Sequence, residues 1–169
     1  MARFEFDTTW DLDAPIEAVF DALTDSLHWP DWWPGLEDVR QLEAGDEHGV
    51  GRTQCFVWKS RLGYYLRFNI RITRVRRPWL IEGKASGDVA GIGSWQLHEQ
   101  QKGTRVRYLW QVRTVRPWMG LLARVARPLV VWNHDVMMRE GRAGLANHLR
   151  CVPAPCGHAP AREPFKQRW

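Results

Sequence analysis

The chain has little cysteine, little lysine and no long apolar run. Its three cysteines, Cys55, Cys151 and Cys156, are an odd number, which argues against a disulfide framework. Cys151, Cys156 and His158 are of metal-binding type, but their spacing fits no zinc pattern and a fourth ligand is missing, so no metal is expected. Nowhere do eighteen apolar residues run together, which excludes a spanning helix. Residues 1–7 pass straight into polar alternation without the apolar core of a secretory signal, so a cytoplasmic protein is expected. Nucleophile elbow, phosphate-binding glycine loop and dinucleotide fingerprint are all missing, and Gly91-Ile92-Gly93 alone is too short to count. Covalent and cofactor chemistry thus has no support in the sequence, and no cofactor is expected.

What the chain has in plenty is tryptophan, 11 in 169 residues. Side chains so large and flat line a core or a cavity. The length suits one domain able to bury about 70% of its unfolded surface. Residues 3–13 alternate strictly, with Phe4, Phe6, Thr8, Trp10 and Leu12 on one face, the period of a half-buried strand. Asp13-Ala14-Pro15 then starts a short helix with Ile16, Val19, Phe20 and Leu23 at helical spacing. A second short helix or turn follows, broken by Pro30 and Pro34 and carrying Trp29, Trp32 and Trp33 to one place, as a rim wedge or a cavity mouth.

From 36 to 115 the pattern is that of an antiparallel meander, with breaks expected at Gly45–Gly51, Lys59–Gly63, Gly87–Gly93 and Lys102-Gly103. Tyr64, Leu66, Phe68, Ile70 and Ile72 share one face of their strand, and Thr104, Val106, Tyr108, Trp110 and Val112 one face of another. The opposite faces carry Arg67, Arg71, Arg105, Arg107 and Arg113, so the sheet is covered on one side and wet on the other. Trp10, Trp58, Trp95 and Trp110 are the inward indoles of four strands.

The last element, about Pro117 to Arg150, reads as a long helix with a kink expected at Pro128. At 100° per residue Trp118, Leu122, Val125, Ala126, Leu129, Val130, Trp132, Val136 and Met137 form an apolar stripe, opposite Arg124, Arg127, Asp135, Arg139 and Arg142. The greasy face of the sheet is its partner. Asn133 and Glu140 interrupt the stripe, either as a hydrogen-bonded core pair or as the polar end of a greasy pocket, with Arg52 and Gln54 as candidate partners and Glu140 as candidate acid or base. His134 and Asp135 fall to the flank and the outer side, so a catalytic pair within that dipeptide is not expected. Residues 151–169 turn to Pro, Ala, Cys and charge and read as a poorly ordered tail after a domain of residues 1–150.

Two segments, Ala85-Ser86-Gly87-Asp88-Val89-Ala90-Gly91-Ile92-Gly93-Ser94-Trp95 with Gly103-Thr104-Arg105-Val106, and Trp132-Asn133-His134-Asp135-Val136-Met137-Met138 with Gly141 and Gly144-Leu145, carry a resemblance that extends over about residues 3–150. The chain resembles the START-like or SRPBCC superfamily in its polyketide cyclase/dehydrase branch. The resemblance implies an α+β helix-grip fold: a curved antiparallel sheet of about seven strands around a long C-terminal helix, with two short helices after the first strand. It also implies a cavity for a lipid, polyketide, quinone or similar molecule, and it does not imply catalysis.

Candidate ligand-binding residues are Trp10, Arg52, Phe56, Trp58, Phe68, Trp95, Tyr108, Trp110, Leu129, Asn133, Val136, Met137 and Glu140. Three functions stay open. The leading one is a carrier or sequestering protein for a hydrophobic small molecule. The second is a cyclase or aromatase using Glu140 or a flanking His as acid or base. The third is a module that binds anionic membrane or nucleic acid through its arginine face; nucleic acid is disfavoured because the aromatics lie mainly on the other face. Monomer and homodimer are equally compatible with the sequence.

Overall fold

The computed structural model of the protein describes residues 2–115 and 127–151. Strand β1 (Arg3–Leu12) is followed by α1 (Ile16–Thr24), a single turn at Ser26–His28 and the one-turn helix α2 (Trp29–Trp32). Strands β2 (Leu36–Glu43), β3 (Thr53–Lys59), β4 (Tyr65–Arg76), β5 (Leu80–Gly87), β6 (Val89–Gln100) and β7 (Gly103–Thr114) come next, and helix α3 (Arg127–Cys151) closes the described chain. All seven strands form one antiparallel sheet in the order β1-β7-β6-β5-β4-β3-β2. Apart from β1, which returns to pair with β7, this is a meander, and α3 lies across its greasy face in the helix-grip arrangement.

The period-2 pattern decides which side chains point inward. Phe4, Trp10 and Leu12 of β1, Phe56 and Trp58 of β3, Phe68 of β4 and Val106, Trp110 and Val112 of β7 are all buried, whereas the arginines point out. Three of those arginines are paired along the outer face: Arg105 Nε with Asp11 at 2.7 Å, Arg107 Nη2 with Asp7 at 2.5 Å, and Arg71 Nη1 with Glu43 at 2.8 Å. Asp11 and Arg105, like Asp7 and Arg107, approach across the β1–β7 ladder, where opposite charges are cross-strand neighbours.

One expected break is shorter than the sequence suggests. Only Asp88 lies between β5 and β6, and Val89 to Gly93 already belong to the strand. Gly91 and Gly93 are needed for closeness, not for a turn. A Cβ on Gly91 would lie 1.9 Å from the Gln111 carbonyl oxygen, and one on Gly93 would lie 2.8 Å from the Trp110 ring.

Helix α3 is rotated relative to the expected stripe. Asn133, Met138, Gly141 and Leu145 are buried, with Val130, Met137, Ala146 and Leu149 partly so. Leu129 and Trp132 are about half exposed. The expected contacts of Trp118, Leu122, Arg124, Val125 and Ala126, and the tail from 152 to 169, lie outside the described residues. Two glycines explain the rotation. A Cβ on Gly141 would lie 2.3 Å from the Trp33 ring, and one on Gly144 would lie 1.7 Å from the Trp32 carbonyl oxygen. Bare backbone on this face lets α2 and its tryptophans press against the helix, and Trp33 Nε1 donates to the Met137 carbonyl at 2.9 Å.

Candidate functional site

Between sheet and helix lies a cavity of about 140 Å³. Its floor is aromatic: Phe56 and Trp58 from β3, Phe68 from β4, Trp95 from β6, and Tyr108 and Trp110 from β7. Trp29 and Trp33 close one side, Phe4 and Phe6 of β1 another, and Val130, Asn133, His134, Met137 and Met138 of α3 form the roof. A lobe of about 40 Å³ shares Trp29, Phe56, Ile70, Trp95, Tyr108 and Trp110 with it and ends on Arg52, Ser26 and Gln54. Tyr108 stacks on Trp95 with ring centroids 3.9 Å apart, and its burial pushes the phenol pKa well above the usual tyrosine range.

Of the expected site residues, Phe56, Trp58, Phe68, Trp95, Tyr108, Trp110, Asn133 and Met137 meet at this cavity, and Arg52 lines the smaller lobe. Trp10 does not reach the wall. It is buried behind Trp33 and Trp95, 5.5 and 5.4 Å away between ring centroids. Leu129 and Val136 are not on the wall either, because the glycine face sets the phase of α3. Trp29 and Trp33 are wedge and wall at once, while Trp32 stacks on Trp33 and meets the His148 ring at a tilt.

The polar end differs most from expectation. Glu140 is not partnered by Arg52 or Gln54; it pairs with Arg61, on the turn between β3 and β4. Its side chain opens on an outer groove beside Trp32 and Pro34 instead of the cavity. Gln54 Oε1 accepts a 2.5 Å hydrogen bond from Ser26 Oγ. Asn133 is a tether: its Oδ1 accepts from Ser60 Oγ and from the Arg61 backbone N–H, both at 3.0 Å. Asn133 and Glu140 therefore do lie along one line of α3, and both hold the β3–β4 turn. Arg52 is half-buried with its Nε unpartnered among the described residues, and burial lowers its pKa.

The residue whose role the sequence did not reveal is His134. Its ring stacks on Phe6 with centroids 3.7 Å apart and planes 10° from parallel, the side chain is 15% exposed, and neither ring nitrogen has a hydrogen-bond partner among the described residues. Asp135 Oδ1, 3.8 Å from Nδ1, is beyond hydrogen-bond range. Burial pulls the imidazole pKa down to about 4, so the ring is neutral at pH 7. The signal was its place beside Asn133 in a roof repeating at 130, 133–134, 137–138, 141 and 145. Among the described residues no group of three or more His, Cys, Asp or Glu could hold a metal, and no helix is long and apolar enough to cross a membrane.

The model of the polyketide cyclase/dehydrase and lipid transport family matches residues 3–150. The chain belongs to this family. Solved structures agree on the fold. The Zhui aromatase/cyclase from Streptomyces sp. R1128 superposes with a TM-score of 0.72 at 18% identity, over 88% of this chain and 94% of that one. The di-domain aromatase/cyclase BexL of the BE-7585A biosynthetic pathway gives 0.70 at 18% identity over 89% of this chain, which spans about half (51%) of that protein's length. Ginseng major latex-like protein 151, from Panax ginseng, gives 0.65 at 10% identity over 86% of this chain and 97% of that one. No protein of curated function matches the sequence.

Proposed function

We propose that this family member binds a hydrophobic small molecule between its sheet and α3, as a carrier or sequestering protein. The observation that carries the reading is the cavity itself, walled almost wholly by aromatic and aliphatic side chains and roofed by a helix. Its volume of about 140 Å³ is close to the ~150 Å³ apolar cavity known to admit benzene. The ligand portion held there is thus the size of a single ring, and a longer molecule would extend into the Arg52 lobe.

A second reading, aromatase/cyclase-type turnover, draws support from the activity named for Zhui and BexL. Glu140 is poorly placed for it, opening outward and paired with Arg61, which leaves His134 as the better-placed acid-base group. A membrane or nucleic-acid role for the outer face has less support, since Arg71, Arg105 and Arg107 are each already matched by a carboxylate.

The test is titration with an apolar fluorophore, read by quenching of tryptophan emission and by a rise in Tm. Binding is expected in the native protein, with a changed affinity in Trp110→Ala, which enlarges the cavity. If nothing apolar binds and the wild type and Trp110→Ala behave alike, the cavity is only a packing void.

A further inference from the structure

The roof of the cavity contains one polar side chain with nothing to do. Asn133 is committed to Ser60 and Arg61. The indole N–H groups of Trp29 and Trp33 donate to the Ala22 and Met137 carbonyls, and Thr114 Oγ1 accepts from the Ala2 N–H. His134 lines the same space with both nitrogens unpartnered among the described residues and its ring clamped flat on Phe6. A buried polar group left unpaired costs stability, and stacking holds this one where its nitrogens cannot turn out to water.

We propose that His134 is the recognition point of the cavity, hydrogen-bonding the hydroxyl of a neutral, ring-sized apolar ligand such as a phenol. The inference rests on the reading that the cavity takes an apolar ligand, and it names that ligand's polar end. A neutral imidazole offers one N–H donor and one bare nitrogen acceptor, and a hydroxyl can answer either. A carboxylate would gain no opposite charge from the neutral ring and would lose its hydration among aromatic walls. The competing choice is an anion held by Arg52 in the smaller lobe, where the guanidinium Nε is likewise unpartnered. Against it, that lobe measures only about 40 Å³.

Three single-ring probes separate these possibilities by calorimetric titration: toluene, phenol and benzoate. Toluene and phenol have nearly the same shape, so their affinity ratio isolates the hydroxyl. In His134→Leu the phenol-over-toluene ratio is expected to fall by about 2- to 10-fold, the worth of one hydrogen bond, while toluene still binds and His134→Gln recovers part of the ratio. In the wild type, phenol and not toluene should shift the His134 ring nitrogen signals in 15N NMR, a readout that stands even if the leucine variant fails to fold. An unchanged ratio, or ring signals indifferent to phenol, overturns the role of His134 and leaves the cavity reading intact. Benzoate binding more tightly than phenol moves recognition to Arg52 and overturns it too. If no probe binds, the cavity reading falls and this inference with it.

Discussion

The pH dependence of stability offers the sharpest test of how His134 is held. Its ring pKa is lowered from 6.5 to about 4 by burial against Phe6 under the helix roof. Between those values the unfolded chain takes up a proton and the folded protein does not, so more protons are bound in the unfolded state and stability rises with pH. The contribution is lost as pH falls from 6.5, and the loss is complete near pH 4. A gap of that size corresponds to about 3 kcal/mol, or about 6–12 °C in Tm for a domain of this length. Other groups act elsewhere or in the opposite sense. Hydrogen bonds from Arg107 and Arg105 lower the carboxyl pKa values of Asp7 and Asp11 below 3.8, so their contribution is present above that pH and lost beneath it. Exposed His28 is raised by its hydrogen bond to Asp25, and its stabilisation is present below pH 6.5 and fades as pH rises. Urea unfolding at half-unit steps from pH 4 to 7 should therefore show a positive slope in the wild type. In His134→Leu that slope should flatten or reverse slightly, whatever the variant's absolute stability. Equal slopes in both proteins would refute the reasoning.

Two further substitutions probe the α3 contacts. Gly144→Ala should lower stability by about 1–3 kcal/mol in calorimetry, because its Cβ would meet the Trp32 carbonyl oxygen, and overpacking against backbone outweighs the ~1 kcal/mol that alanine gains in a helix; a stabilised variant would contradict the close approach. Glu140→Gln should cost about 1 kcal/mol or less, since Arg61 is half exposed, and should leave fluorophore affinity unchanged; a large loss of affinity would return Glu140 to the binding site.

Strand pattern was the legible part of the sequence. Alternation in β1, β4 and β7 identified which side chains face the helix, because a one-residue slip would turn arginine inward. The phase of α3 was less legible. An apolar stripe weights large side chains, so Leu129 and Trp132 drew it toward themselves, although both are about half exposed. What decides the phase is the absence of side chain at Gly141 and Gly144, where Trp33 and Trp32 sit. A glycine read as a helix weakener is here a socket, and the sequence does not say what fills it. Arg52 and Glu140 were paired as inward polar residues, but the partners of Asn133 and Glu140 are Ser60 and Arg61 of the β3–β4 turn, which no periodicity marks.

The glycine socket also explains where the cavity lies. Seven of the 11 tryptophans of the chain, Trp10, Trp29, Trp32, Trp33, Trp58, Trp95 and Trp110, are buried in the grip, and six of them, Trp10, Trp29, Trp32, Trp33, Trp58 and Trp95, form one continuous cluster. Where α3 carries glycine the cluster packs directly against backbone, and the space between sheet and helix is filled. Toward the start of the helix the facing residues become Val130, Asn133, His134 and Met137, whose side chains hold the helix off the sheet, and the void opens there over Phe68 and Trp110. The two halves of α3 thus do different work. The half that ends in Leu145 fixes the helix and sets stability, and the half that begins at Val130 shapes the cavity and places His134 in its roof. The tryptophans serve as core in one half and as wall in the other, so their number alone could not tell a solid interior from a pocket.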